Sequence, residues 1–243
     1  AANHCGGCSF QHLEPQAQIL FKQQQLIDAL GDTQPATLLE PMMGPLFDYR
    51  SKARLGVKFV EKKGRVLVGF REKMKAYVAE IDTCKVLKKA VGENLAALAA
   101  AVSDLSDPRS VPQIEVAAGD TETALVIRHL EDLTDDDLVR LKQLGEDYAF
   151  SIYLQPGNES TVHKLYPDDS YERLIYTLPD YDLSYAFHPL DFTQVNQSIN
   201  RKMIRQALHL LDLKPTDRVL DSFCGIGNFS LPLARNAAYV TGI

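Results

Sequence analysis

The tightest constraint on the fold lies in residues 218–243. The run Arg218-Val219-Leu220-Asp221 reads as a buried strand that ends on an acid and enters a turn containing Gly225 and Gly227. A helix is predicted from about Asn228 to Arg235, and a second strand from Tyr239 to Ile243. Two apolar runs separated by a glycine turn and a helix form a β-turn-α-β unit, the opening of a doubly wound α/β domain. Glycines let the backbone bend sharply and approach a ligand closely, and a following helix offers its first N–H groups to a polar or anionic ligand end. Taken alone, a G-x-G fits an ordinary tight turn equally well. Asn228 then reads as a helix cap and Phe223 as a core aromatic.

Upstream, Ser198 to Leu211 carries Ile199, Met203, Ile204, Ala207, Leu208 and Leu211 on one side, the pattern of an amphipathic helix. Asp212-Leu213-Lys214-Pro215 ends it. A strand-rich block precedes this helix. Arg54 to Val60 and Val66 to Phe70 flank a turn at Glu61-Lys62-Lys63-Gly64, and Tyr77 to Ile81 is a third candidate strand. A helix near Gly92 to Val102 and strands Ile114 to Ala118 and Ala124 to His129 follow. Thr134 caps a helix from Asp135 to Leu144, and Phe150 to Leu154 is a further strand. Near the front, Pro15 to Leu30 reads as an amphipathic helix stopped by Gly31. Residues 155–190 are rich in Pro, Asp and Tyr, and their pattern assigns no element. The expected organisation is a cysteine motif at 1–10, a helix and connector at 11–43, a central mixed α/β domain at 44–189 and the start of a second α/β domain at 190–243. The fold class is thus mixed α/β and α+β.

No apolar run reaches the roughly 18 to 20 residues of a membrane helix. The opening AANHCGGCSF lacks a charged leader followed by an apolar stretch. The expectation is a cytoplasmic protein, in which disulfides are rare. The four cysteines then point to a metal, a cluster or buried thiols. Cys5-Gly6-Gly7-Cys8 is a C-x-x-C pair on a glycine bend, and Cys84 offers a third sulfur. Zinc, redox chemistry and an iron cluster all suit such a pair.

The net charge of −6 is unevenly spread. Between Asp48 and Lys75 ten basic residues face three acids, a local +7. Arg50, Lys52 and Arg54 alternate and so share one face of a strand, with Lys58 further along. Such a face attracts phosphates, and the interleaved Tyr49, Phe59, Phe70 and Tyr77 can stack on unpaired bases. The plain alternative is a solvated strand face whose aromatics fill the core.

Two strings carry a family resemblance. Asp-x-Phe-Cys-Gly-x-Gly-Asn-Phe at 221–229 and Asp191-Phe192-Thr193-Gln194-Val195-Asn196 resemble motifs of the RNA uracil-5-methyltransferases. The resemblance implies a Rossmann-like, S-adenosylmethionine-dependent domain. Gln194, Phe223 and Asn228 would contact that cofactor beside the turn at Gly225 and Gly227. It also implies a 4Fe–4S cluster on Cys5, Cys8 and Cys84, because the cluster-bearing members have the spacing Cys-x5-Cys-Gly-Gly-Cys with one later cysteine. That spacing puts the first ligand before Ala1, and His4 is the alternative donor in this chain. In the family a cysteine thiolate adds to C6 of uracil, C5 takes the methyl group, and a carboxylate removes the C5 proton before the cysteine leaves. Neither that nucleophile, from a Ser-Cys-Asn-Pro-like motif, nor the base occurs in this sequence, which therefore reads as a fragment. Cys224 sits in the cofactor turn and is expected to be a small buried thiol. The implied partner is 23S rRNA, held by Arg50, Lys52, Arg54 and Lys58, with the uridine conventionally numbered 1939 as target. The alternatives are the 23S uridine numbered 747, a tRNA uridine, or a non-catalytic iron–sulfur RNA-binding module.

Overall fold

The computed structural model describes residues 4–33, 35, 37–168 and 171–243. Its centre is a six-stranded sheet in the order β2-β1-β3-β4-β5-β6. The strands are β1 (Lys52–Val60), β2 (Arg65–Gly69), β3 (Gln113–Ala118), β4 (Thr123–Arg128), β5 (Phe150–Gln155) and β6 (His163–Tyr166). All pairings are antiparallel except β4 with β5. That parallel pair requires a crossover, which α4 (Asp135–Tyr148) supplies.

Both faces of this sheet are covered, and β4 shows why its sequence is apolar throughout. Leu125 and Ile127 point into one core with Leu55, Ile114, Ile152, Leu141 of α4 and Leu98 of α3 (Leu95–Ser103). Ala124 and Val126 point to the opposite face. There they meet the hairpin of β7 (Leu174–Leu178) and β8 (Leu183–Phe187), and Ile204 of α5 (Gln197–Leu211). A strand buried on both sides must be apolar at odd and even positions alike. Beyond α5, β9 (Arg218–Asp221) and β10 (Tyr239–Gly242) pair in parallel around the short α6 (Ser230–Leu233). This is the β-turn-α-β unit read from the sequence.

Several expectations need correction. Tyr77 to Ile81 is not a strand; among the described residues only Val78 bridges to Arg71. The backbone beyond β2 is shared instead with the cysteine segment, because Gly6 N–H donates to Arg71 O at 2.8 Å. The helix expected near Gly92 to Val102 is two helices, α2 (Lys89–Gly92) and α3, parted at Glu93 and Asn94. The helix expected from Asn228 to Arg235 spans only the four residues of α6, with Pro232 inside it. Strand β9 is not buried: Leu220 is 62% exposed. The helix α1 (Pro15–Leu30) ends at Gly31 as expected, but none of its residues is buried. The stretch left unassigned contains β6, β7 and β8.

Thr134 caps α4 in a reciprocal box. Its hydroxyl accepts from Asp137 N–H at 3.2 Å, and its own N–H donates to Asp137 Oδ2 at 3.0 Å. Asp137 also accepts from Ser106 N–H at 2.8 Å and Ser106 Oγ at 2.5 Å, which ties α4 to the loop after α3. Burial opposes the carboxylate charge, yet the four bonds from Ser106 and Thr134 outweigh it and hold its pKa at about 2. A depressed carboxylate pKa stabilises the fold above its ordinary value of 3.8 and loses that contribution as pH falls through about 2. Asp137→Asn is therefore expected to cost roughly 1.5–3 kcal/mol at pH 7. Urea titrations should show the gap between wild type and variant closing below pH 3.8. A gap that persists undiminished at pH 2 would refute the assignment.

Candidate cofactor turn and cysteine site

The turn after β9 is built on three left-handed residues: Phe223 at φ 67°, Gly225 at 53° and Gly227 at 84°. Glycine adopts this region at no steric cost, whereas a phenylalanine there is strained. Cys224 N–H donates to Ile243 O at 2.9 Å, Gly227 N–H donates to Cys224 O at 2.9 Å, and Asp221 accepts from Ser230 Oγ at 2.6 Å. The result fixes Phe223 outward, with its ring 97% exposed. Phe223 is thus not a core aromatic. Cys224 is only partly buried, so the expectation of a buried thiol fails too. Because α6 has only four residues, it contributes little helix dipole beside the turn.

Asn228 docks the turn onto the rest of the molecule. Its side-chain amide exchanges two hydrogen bonds with Asn200 of α5, both at 2.8 Å, and accepts a third from Tyr176 Oη at 3.2 Å. One amide hydrogen is left for another partner. Tyr185 Oη donates to Gly227 O at 3.2 Å, and the Tyr176 and Tyr185 rings stack at 4.6 Å. Burial pushes the Tyr185 phenol up to about 12 and the Tyr176 phenol higher still, so both stay protonated donors. The expected Asn helix cap is found instead at Asn196, whose Oδ1 accepts from Ile199 N–H at 3.1 Å. Tyr176, Tyr185 and Asn200 escaped the sequence reading. For Tyr185 the only signal there is the alternation in Leu183-Ser184-Tyr185; Tyr176 and Asn200 carry none.

Gln194 belongs to a segment sewn to the entry of β1. Ser51 N–H donates to Val195 O at 2.8 Å, and its buried hydroxyl reaches Gln194 O and Val195 O at 3.3 and 3.1 Å. Lys52 Nζ donates to Asp191 O. Burial lowers the Lys52 pKa, and the Glu115 and Asp191 carboxylates oppose that shift. Arg50 precedes β1 rather than lying on it, bridging Leu87 and Asn196. Arg54 pairs with Glu115 at 2.9 Å, directly across the β1–β3 ladder. Lys58 is exposed. Part of the local positive charge is thus answered by acids: Glu115 and Glu80, from outside the segment, take Arg54 and Lys63 with Arg65, and Glu72 within it takes Lys75. Of the interleaved aromatics, Phe59 and Phe70 pack against the core, while Tyr77 stands exposed.

Cys5, Cys8 and Cys84 line one cavity of about 110 Å³, together with Gln11, Phe70, Ile81, Thr83 and Lys85. Burial, then the charges of Cys84 and Cys5, push the Cys8 thiol pKa up, while Arg50 and Lys73 pull it down. The two glycines of the motif are sterically required. A Cβ on Gly7 would sit 2.7 Å from the Phe70 ring, and one on Gly6 would sit 2.9 Å from Arg71 O. Gly7 N–H points at Cys5 Sγ, 3.4 Å away, as a donor to sulfur. His4 faces outward to Glu72, its Nε2 3.0 Å from the carboxylate, and does not line the cavity. Among the described residues, no three His, Cys, Asp or Glu side chains close on a single metal ion.

A family model described as tRNA (Uracil-5-)-methyltransferase matches residues 17–242. The chain belongs to this family. It is 48% identical over 98% of its length to a protein of Alcanivorax borkumensis, and 51% identical over 98% to one of Alkalilimnicola ehrlichii. Both are named 23S rRNA (uracil(1939)-C(5))-methyltransferase RlmD. The chain spans about half the length of these relatives, 54% in each case. The fold resembles that of the Pyrococcus abyssi tRNA (uracil-54, C5)-methyltransferase, solved with S-adenosyl-L-homocysteine. The TM-score is 0.68 at 24% identity, covering 95% of this chain and 56% of that one. The likeness is one of fold: the mixed α/β architecture resembles that of this methyltransferase.

The Asn200–Asn228 pair makes a direct prediction. Asn200 is 3% exposed, and truncating it removes both of its amide bonds to Asn228, which keeps only the Tyr176 hydroxyl. Asn200→Ala should destabilise the chain by about 1–3 kcal/mol in chemical denaturation. A loss below about 0.5 kcal/mol would mean that water replaces the pair without cost.

Proposed function

We propose that this chain is the RNA-docking and cofactor-turn portion of a bacterial 23S rRNA uracil-C5-methyltransferase that acts on uridine 1939. The observation that carries this reading is its 44–51% identity, over 98% of its length, to proteins that bear that name. A tRNA target is the second reading, favoured by the family description alone. The setting is the bacterial cytoplasm, and the working division of the chain remains 1–10, 11–43, 44–189 and 190–243.

S-Adenosylmethionine would supply the methyl group as an electrophilic sulfonium. The exposed, strained Phe223 supports a contact with it, because an aromatic held out of the core gains most when a flat apolar ligand covers it. Gly225 and Gly227 keep the turn free of side chains, Asn228 retains one amide hydrogen, and Gln194 offers an amide from a segment fixed by Ser51. Phe223→Ala in the full-length protein should weaken S-adenosylmethionine binding about tenfold or more, as loss of a buried aromatic contact implies. Gln194→Ala should weaken it less. Calorimetry that finds both affinities unchanged would remove these residues from the cofactor site.

Cys5, Cys8 and Cys84 would hold a 4Fe–4S cluster, with the fourth ligand coming from outside this trio. The donor set fits, since three thiols share one cavity and Gly7 N–H stands ready to donate to sulfur. Arg50 and Lys73 would offset the negative charge of the thiolates. Anaerobic reconstitution with iron and sulfide should give bound iron that Cys84→Ala loses, read by iron content and visible absorbance. Full iron retention in that variant would exclude Cys84 as a ligand. Arg50, Lys52, Arg54 and Lys58 are the proposed rRNA contacts of the central domain. Of these, Lys58 has the freest charge, because Lys52 and Arg54 are engaged by Asp191 and Glu115.

A further inference from the structure

Residues 71–77 concentrate features of which the reading above uses only Lys73. They form a tight loop beyond β2, closed by the Arg71–Val78 bridge and by Glu72 N–H donating to Tyr77 O at 2.8 Å. At its tip Met74 is fully exposed, at φ 57°. Tyr77 is 71% exposed. Three cations surround this pair. Lys75 leans on Glu72 at 3.1 Å, whereas among the described residues Arg71 and Lys73 form no ion pair. The cysteine segment grips the loop from below. Gly6 N–H donates to Arg71 O at 2.8 Å, Lys73 N–H donates to His4 O at 3.1 Å, and Cys5 bridges Glu72.

Single exposed apolar side chains are common. Here two of them share a seven-residue loop whose backbone is pinned at both ends, with cations between them. The complementary partner has flat apolar faces strung on a polyanion. Unpaired nucleic acid has that form, while a duplex hides its base faces and offers only backbone.

We propose that the loop 71–77 binds unpaired RNA bases, with Tyr77 as the stacking platform, Met74 as the apolar wedge, and Arg71 and Lys73 on the phosphates. The cysteine segment is then the scaffold that keeps this loop in shape. The inference rests on the reading of the protein as an RNA enzyme and names the part of the RNA that this loop takes.

The test compares a fluorescent oligouridine with an RNA duplex of equal charge, both titrated with the full chain at several salt concentrations. Tyr77→Ala should weaken oligouridine binding about five- to a hundredfold, as the loss of one stacked base implies, while leaving the salt slope unchanged. Duplex affinity should not move. Lys73→Gln should instead flatten the oligouridine salt slope by about 0.7. If the chain binds oligouridine and both Tyr77→Ala and Met74→Ala bind it equally well, the loop is no contact and the RNA reading survives without it. Equal losses for oligouridine and duplex would overturn stacking as the mode. No binding of either RNA by the unaltered chain would sink the RNA reading together with this inference.

Discussion

The whole arrangement depends on β4 being buried on both faces. A strand whose odd residues fill one core and whose even residues fill another ties two layers to a single rigid sheet. On one side this fixes α3 and α4. On the other it seats the β7–β8 hairpin and Ile204 of α5. Everything near the cofactor turn stands on that second layer, because Tyr176 and Tyr185 of the hairpin and Asn200 of α5 are the groups that hold Asn228 and Gly227. The turn is thus positioned by the β7–β8 hairpin and α5 rather than by its own short β9–β10 pair.

The junction is polar where it must be specific and apolar where it must be strong. Ser51 is buried, and its hydroxyl and N–H both serve the Gln194-Val195 backbone. A buried hydroxyl without partners costs free energy, so this pairing permits only one register between the two segments. Asp120 does similar work at the other end, accepting from Thr177 N–H and Oγ1 at 2.9 and 2.6 Å. Misplacing the hairpin by one residue would strand these groups and turn Tyr176 and Tyr185 away from the turn.

What could be read from the sequence follows from how local each signal is. Helix α1, the β1–β2 hairpin, the Thr134 cap and the β-turn-α-β unit were legible because each is written in one continuous stretch of sequence. The β7–β8 hairpin was not, since its turn, Pro179 to Asp182, places a left-handed Asp182 where the usual glycine would have announced it. Tyr77 to Ile81 has strand composition, but its pairing with residues 70–72 is cut to a single bridge at Val78 by the tight loop at 73–76. That Cys5, Cys8 and Cys84 line one cavity is written in no local pattern, and their grouping in the sequence came only from the family resemblance. The same holds for Asn228, where the motif marked the position but the reciprocal amide pair with Asn200 is a fact of the fold.

Phe70 carries a consequence of its own. Its ring floors the cysteine cavity, lies against the Gly7 backbone and sits under the Arg50 guanidinium at 5.3 Å. The volume that a side chain at position 7 would need is already occupied by position 70. The two sites are therefore not free to vary separately. A larger residue at 7 becomes tolerable only after the ring at 70 has shrunk, and that step would strip Arg50 of its resting place and widen the chamber between the thiols. Across descendants of this chain the pair should behave as one inherited unit, drifting together or not at all.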